Sequence, residues 1–395
     1  MPEKTSLTKQ NVNLHLLSPL HIGTGQEIDP FSYVIVGDKL YFIDLVRWMD
    51  SFPDKALLSK MVDGDNYAAL RTFIAKNIAV EKFSLTAVAI DCPLLLTTYR
   101  NAIDRQDARN QVLIRPTIRN EINQLPYIPG SSVKGAIRTA LANRFVRKAG
   151  VTTEDARRNR GSDYNEKIFG RIKDDPMRFL KIADAPLAAE SSVIIEAEEL
   201  SCDERKTSTP KGFFETVKGC SQTKMPVVLP LSLSLIPFSL HGEKVDAPYL
   251  LESLNLFYLP KFREEFKKFY SNRDTEKIRK AIFPILERLD ALKTNEALLR
   301  LGHFSHVECV TLDEVRRPIT RKDKSGRPLP WGTTRTLANG LHPFGWCLLE
   351  ITDMNVQAVK ETEVPTGKKV FIREGKPAKE ATVNLSKLGE KFRVK

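Results

Sequence analysis

The order in which strand and helix patterns follow one another constrains this chain more than any single motif. Strand, helix, strands, helix, strand runs through it twice, with the break near residues 199–210. Residues 11–22 alternate apolar and polar side chains as a strand does, and end in the loop His21-Ile22-Gly23-Thr24-Gly25. Residues 33–45 form a second β run turned at Gly37-Asp38, and residues 83–92 a third. Between them, residues 50–82 carry helical spacing through Tyr67, Leu70, Phe73 and Ile74, which predicts an insertion packed on the sheet. Further strands are expected at 182–185, 192–200, 212–217, 226–240, 298–312 and 344–352. A long helical region at 249–297 sets Phe262, Phe266, Phe269 and Tyr270 at core spacing. Two α+β units of the split βαβ type fit this order, residues 1–200 and 201–395. The first includes the helical insertion and a basic excursion at 99–125; the second ends in a basic tail.

Charge narrows the partner. Lys and Arg number 61 against 49 Asp and Glu, a formal net charge of +12, which favours a polyanion. No apolar run approaches the roughly 18 residues that would span a bilayer, so the expectation is a soluble cytoplasmic protein with no membrane partner. The five cysteines are odd in number and scattered, which implies neither a disulfide framework nor a cysteine-type zinc site. His303, His306 and Cys309, three apart, alternate faces in the strand expected there, so no metal and no cofactor is expected.

The strongest local signal runs from Pro126 to Leu141. Pro126, Pro129 and Gly130 fix a loop, Ser131 or Ser132 is placed to cap, and Val133, Ile137, Ala140 and Leu141 form an apolar helical stripe. The helix N-terminus, with Lys134 and Arg138 one turn apart, is suited to hold a phosphate. It is not a nucleotide-binding P-loop, because the Gly-Lys order is reversed and the following Ser or Thr is absent. Arg100, Arg105, Arg109, Arg115 and Arg119 concentrate positive charge in the excursion before it. A later cluster holds Arg316, Arg317, Arg321, Lys322, Lys324, Arg327 and Arg335 around Gly326 and Trp331, where the indole is available to stack on a base.

Pro129-Gly130-Ser131-Ser132-Val133-Lys134-Gly135, followed by Arg138-Thr139-Ala140-Leu141, resembles the signature of the RAMP superfamily of CRISPR proteins. The resemblance extends to the His21 to Gly25 loop, to Leu299-Arg300-Leu301-Gly302-His303-Phe304, and to Pro343-Phe344-Gly345-Trp346. It implies two tandem ferredoxin-like (RRM-like, βαββαβ) domains with helical insertions. It further implies a non-catalytic subunit of a type III-A effector ribonucleoprotein that caps the 3′ region of a single-stranded CRISPR RNA and is needed for its maturation and for antiviral defence. The implied partners are that RNA, neighbouring backbone and small subunits, and recruited host nucleases. His21, Gly23, Gly25, Gly130, Ser131, Ser132, Lys134, Arg138, Arg300 and Gly302 become the expected RNA contacts, beside the arginines and Trp331 named above. Glycine admits a phosphate closely, and Arg and Lys neutralise it without reading bases.

An enzymatic alternative is a metal-independent ribonuclease acting on CRISPR repeats, with His21 as general base and Lys134 beside the scissile phosphate. Asp29, after the first glycine loop, reads as a turn residue before Pro30.

Overall fold

The computed structural model describes residues 8–64, 66–106, 111–157, 162–203, 207–271, 276–315, 326 and 332–354. Two sheets carry the architecture. The first has five antiparallel strands in the order Glu296–Arg300, Trp346–Ile351, Thr8–Leu16, Val228–Leu235, Leu180–Ile182. Val12, Leu14 and Leu16 alternate with Asn11, Asn13 and His15, and Val12 sits opposite Leu231 and Ile351, so the apolar set of the central strand falls on one face. That face is covered by the helices Gly130–Phe145 and Ala247–Phe269, which share one core with the strands through Ile137, Leu141, Leu254 and Phe257.

The second sheet runs His342–Pro343, Thr334–Ala338, Ser192–Ser201, Ser84–Ile90, Lys39–Ile43, Tyr33–Val36, with Thr209–Val217 hairpinned on Ser192–Ser201 and the short Ile114–Arg115 beyond it. Both sheets take strands from either side of residue 200, so that boundary passes through them rather than between them. They join where Leu20, just past the central strand, exchanges backbone hydrogen bonds with Val217.

Residues 45–77, against the 50–82 read from the sequence, form the helices Leu45–Ser51, Lys55–Asp63 and Tyr67–Asn77, each started by a side chain that accepts a first-turn N–H: Asp44, Asp54 and Asn66. Two expectations change. Residues 93–104 form a helix that takes in the start of the stretch expected as an excursion at 99–125, because Pro93 occupies the first turn and Leu95, Tyr99, Ala102 and Ile103 bury one side. The strand expected at 298–312 stops at Arg300, where Gly302 at φ +87° turns the chain into a loop with a short 3-10 turn at Val307–Cys309. Arg109, Arg321, Arg327, Trp331 and the basic tail lie outside the described residues. Among the described residues, no helix is long and apolar enough to cross a membrane.

Candidate nucleic-acid interface

Three motif loops far apart in sequence lock together at the junction of the sheets. The His303 N–H donates to the His21 carbonyl at 2.9 Å, the Leu301 N–H to Gly345 at 2.8 Å, and the Gly345 N–H to Pro19 at 2.8 Å. Their glycines are there because the backbones touch. A Cβ on Gly302 would collide with the His21 carbonyl, and one on Gly345 with the Leu301 carbonyl. A Cβ on Gly23 would stand 2.6 Å from His21 Nε2. Gly25, at φ +83°, faces open space, so conformation alone requires its glycine.

The extended segment after Val112 zips onto this junction. Ile28 pairs with Ile114, Gly23 with Thr117, and Arg119 with Pro126, leading the chain into the Gly130 helix. Arg115 crosses the Phe214 ring at 5.0 Å, bonds Glu27 at 2.5 Å and stays partly exposed. Thr24, Gly25, Gln26 and Glu27 are exposed, as is His303; Phe304 is half-buried. The result is a solvent-facing surface of the open backbone of residues 24–27, one accessible arginine and the His303 ring with Phe304 half-covered beside it.

His21 lies beneath it. The ring is 4% exposed, its Nδ1 lies 2.7 Å from the Glu215 carbonyl, and a carbonyl can only accept, so Nδ1 carries the proton. Burial lowers its pKa to about 4, so it is neutral at physiological pH, with Nε2 turned toward Gly23. A sealed, neutral ring bound to backbone does not have the access a general base needs, which counts against the ribonuclease alternative at His21.

Several expected RNA contacts are internal instead. Arg300 and Arg335 are 3% and 5% exposed and both bind Glu265 of the Ala247 helix, at 2.5 and 2.6 Å; Arg335 also holds Glu308 at 2.9 Å. Burial alone would raise the Glu265 pKa, but the two guanidiniums hold it down at about 2. Arg119 pairs with fully buried Glu215. These arginines neutralise buried carboxylates, and an arginine so used is unavailable to a phosphate. Sequence reasoning missed Glu215 and Glu265 because an acidic residue on a strand or helix carries no local mark of burial.

The Gly130 helix also departs from expectation. No serine side chain caps it; the Gly130 N–H donates to Asp184 Oδ1 at 2.8 Å, so a carboxylate already sits at the helix start. A Cβ at Gly130 would overlap the Ile182 carbonyl, so this glycine serves close packing of helix on strand. Arg138 is paired with Asp175 at 2.7 Å and lies 3.9 Å from the Phe169 ring centre. Ser131 is exposed, Ser132 and Lys134 are half-buried, and Arg100 and Arg105 are exposed. His306 Nε2 accepts the Thr336 N–H at 3.3 Å, and burial lifts the Cys309 thiol to about 11; among the described residues no group of three or more His, Cys, Asp or Glu is placed to hold a metal ion. Asp29 closes its own turn by accepting the Phe31 N–H at 2.7 Å.

An antiparallel sheet and a mixed sheet with glycine loops at their junction define a class, and the sequence matches it: the chain belongs to the RAMP superfamily, whose profile covers residues 13–306. Within that family it is similar to the Csm5 proteins of CRISPR systems. It is 31% identical over 139 residues to "CRISPR system Cms protein Csm5" of Methanocaldococcus jannaschii, covering 35% of this chain and 31% of that protein. It is 29% identical over 145 residues to the protein of the same name from Streptococcus thermophilus, covering 33% of this chain and 37% of that one. The matched segments thus span about a third of either relative. The fold is shared more widely. A chain in a cryo-EM structure of a Csm–crRNA–target RNA ternary complex of a type III-A CRISPR–Cas system superposes with TM-score 0.59 at 20% identity, over 87% of this chain and 100% of that one. The crystal structure of T. onnurineus Csm5 gives 0.56 at 20% identity, over 85% and 99%.

Proposed function

We propose that this chain is a non-catalytic RNA-binding subunit of a type III-A CRISPR effector ribonucleoprotein, holding the 3′ region of the CRISPR RNA. One observation carries the reading: the family's glycine loops pack together beneath a solvent-facing surface made of the open backbone of residues 24–27, the partly exposed Arg115 and the His303 ring. Such a surface binds a single strand by its phosphates and base faces, independently of sequence. The similarity to Csm5 supports membership of the Csm complex, contacts with its backbone and small subunits, a place in CRISPR RNA maturation and antiviral defence with recruited nucleases, and a cytoplasmic setting. The sealed His21 supports a role without chemistry.

The same reading takes the chain as two tandem ferredoxin-like domains. Its support is for one such unit, drawn from both sides of residue 200: Trp346–Ile351, Thr8–Leu16, Val228–Leu235 and Leu180–Ile182 lie in the order fourth, first, third, second, with the Gly130 and Ala247 helices on the two crossovers.

Binding of labelled single-stranded RNA across a salt series tests the function. Tight binding of intact RNA is expected, with a log–log slope of about −0.7 per phosphate neutralised. Shortened RNA would replace this reading with a ribonuclease, and no binding would leave protein docking as the role of the surface.

A further inference from the structure

We propose that His303 is a stacking platform for one unpaired nucleobase, with Arg115 and the open loop at Thr24 and Gly25 taking the adjoining phosphate. The proposal rests on the RNA-binding reading and names a contact within it.

The His303 ring is exposed, yet everything beneath it is fixed. It lies against Phe214, with centroids 6.4 Å apart and planes 27° apart, and edge-on to Phe304 at 4.8 Å and His21 at 6.0 Å. Phe304 in turn rests on Phe344 at 4.5 Å and on Phe214 at 5.0 Å. Phe214, Phe344 and His21 are buried, so a pedestal of four rings supports one ring in solvent. Its backbone is pinned on both sides. The His303 N–H is held by the His21 carbonyl, Gly302 at φ +87° sets the turn, and Ser305 Oγ bonds the Gly302 carbonyl at 2.8 Å.

A flat ring already held in place loses little freedom when a base covers it, and every base offers a face. The phosphate contact lies within the same cluster, because Arg115 rests on the same Phe214. Its partner Glu27 is about a third exposed, and such a surface pair contributes too little to resist exchange for a phosphate. A histidine serving only to cover the pedestal would be indifferent to bases.

The test compares the full-length wild type with His303→Ala and His303→Phe. The probes are a fluorescein-labelled eight-nucleotide RNA and the same ribose-phosphate chain with every base removed. His303→Ala is expected to weaken binding of the base-bearing RNA by about 5- to 150-fold, to bind the abasic chain as wild type does, and to melt at the wild-type temperature. His303→Phe is expected to bind both as wild type does. Equal affinity of wild type and His303→Ala for the base-bearing RNA, with wild-type binding intact, overturns the platform and leaves the RNA-binding reading standing. Equal weakening on both probes overturns it in favour of a charge or folding role, which His303→Phe separates by restoring the fold without the imidazole. Absence of wild-type binding to either probe overturns both readings.

Discussion

At the scale of single residues, this protein keeps much of its positive charge indoors. Glu265 is 1% exposed, yet it accepts from Arg300, Arg335, Trp346 Nε1 and Tyr270 Oη, so its charge is fully solvated by protein donors. Held at about 2, Glu265 contributes stability that is present above the unfolded carboxylate value and fades only as pH falls toward 2. Two enclosed histidines act earlier. His21 and His306 are lowered from 6.5 to about 4 and about 3 by burial first, so the folded protein refuses protons that the unfolded chain accepts. Stability is therefore expected to be flat above about pH 6.5 and to fall between 6.5 and 4, with His21 alone worth about 3 kcal/mol over the full window. Urea unfolding at pH 7.5 and pH 5 measures this. His21→Asn, which can still donate to the Glu215 carbonyl but does not titrate, should show a shallower fall; identical midpoints at both pH values in wild type would refute the assignment. None of this was legible beforehand, since an arginine next to a glycine loop looks the same whether it meets a phosphate or a buried glutamate.

At the scale of elements, local chemistry sets where helices begin, though the reading of the sequence used it only in part, and it is a poor guide to what they serve. Asp44, Asp54, Asn66 and Pro93 mark helix starts by side-chain capping or fixed φ, which are properties of neighbouring residues. The Gly130 helix began as expected, but its anion is Asp184, 54 residues away in sequence. The two features that suggested RNA there are therefore separable. Asp184→Ala is expected to cost about 1 kcal/mol of stability, as loss of a cap does, with RNA affinity unchanged. Lys134→Ala is expected to leave the melting temperature alone and make the salt slope for single-stranded RNA shallower by about 0.7. A Lys134→Ala slope equal to wild type would remove this helix from the interface. Arg138 belongs with stability, since Asp175 and Phe169 already engage it.

At the scale of the whole molecule, the central strand of the first sheet comes from the start of the chain, and its neighbours come from residues 228–235 and 346–351. Residues 1–200 and 201–395 expressed apart are thus expected to lack cooperative unfolding and amide-exchange protection, and to regain both when expressed together. A cooperative melt from either piece alone would show that the sheets tolerate division there. The sequence by itself determined most strand and helix segments, the positions that had to be glycine, the basic balance and the family, because these depend on neighbours a few residues apart and on composition. Only the tertiary structure decided which strands pair, which arginines are spent on Glu215 and Glu265, and that His21, Phe214, His303 and Phe344 meet at one junction. Those outcomes rest on contacts between residues tens to hundreds of positions apart, and burial, which sets what a charge or a ring can do, exists only once such contacts have formed.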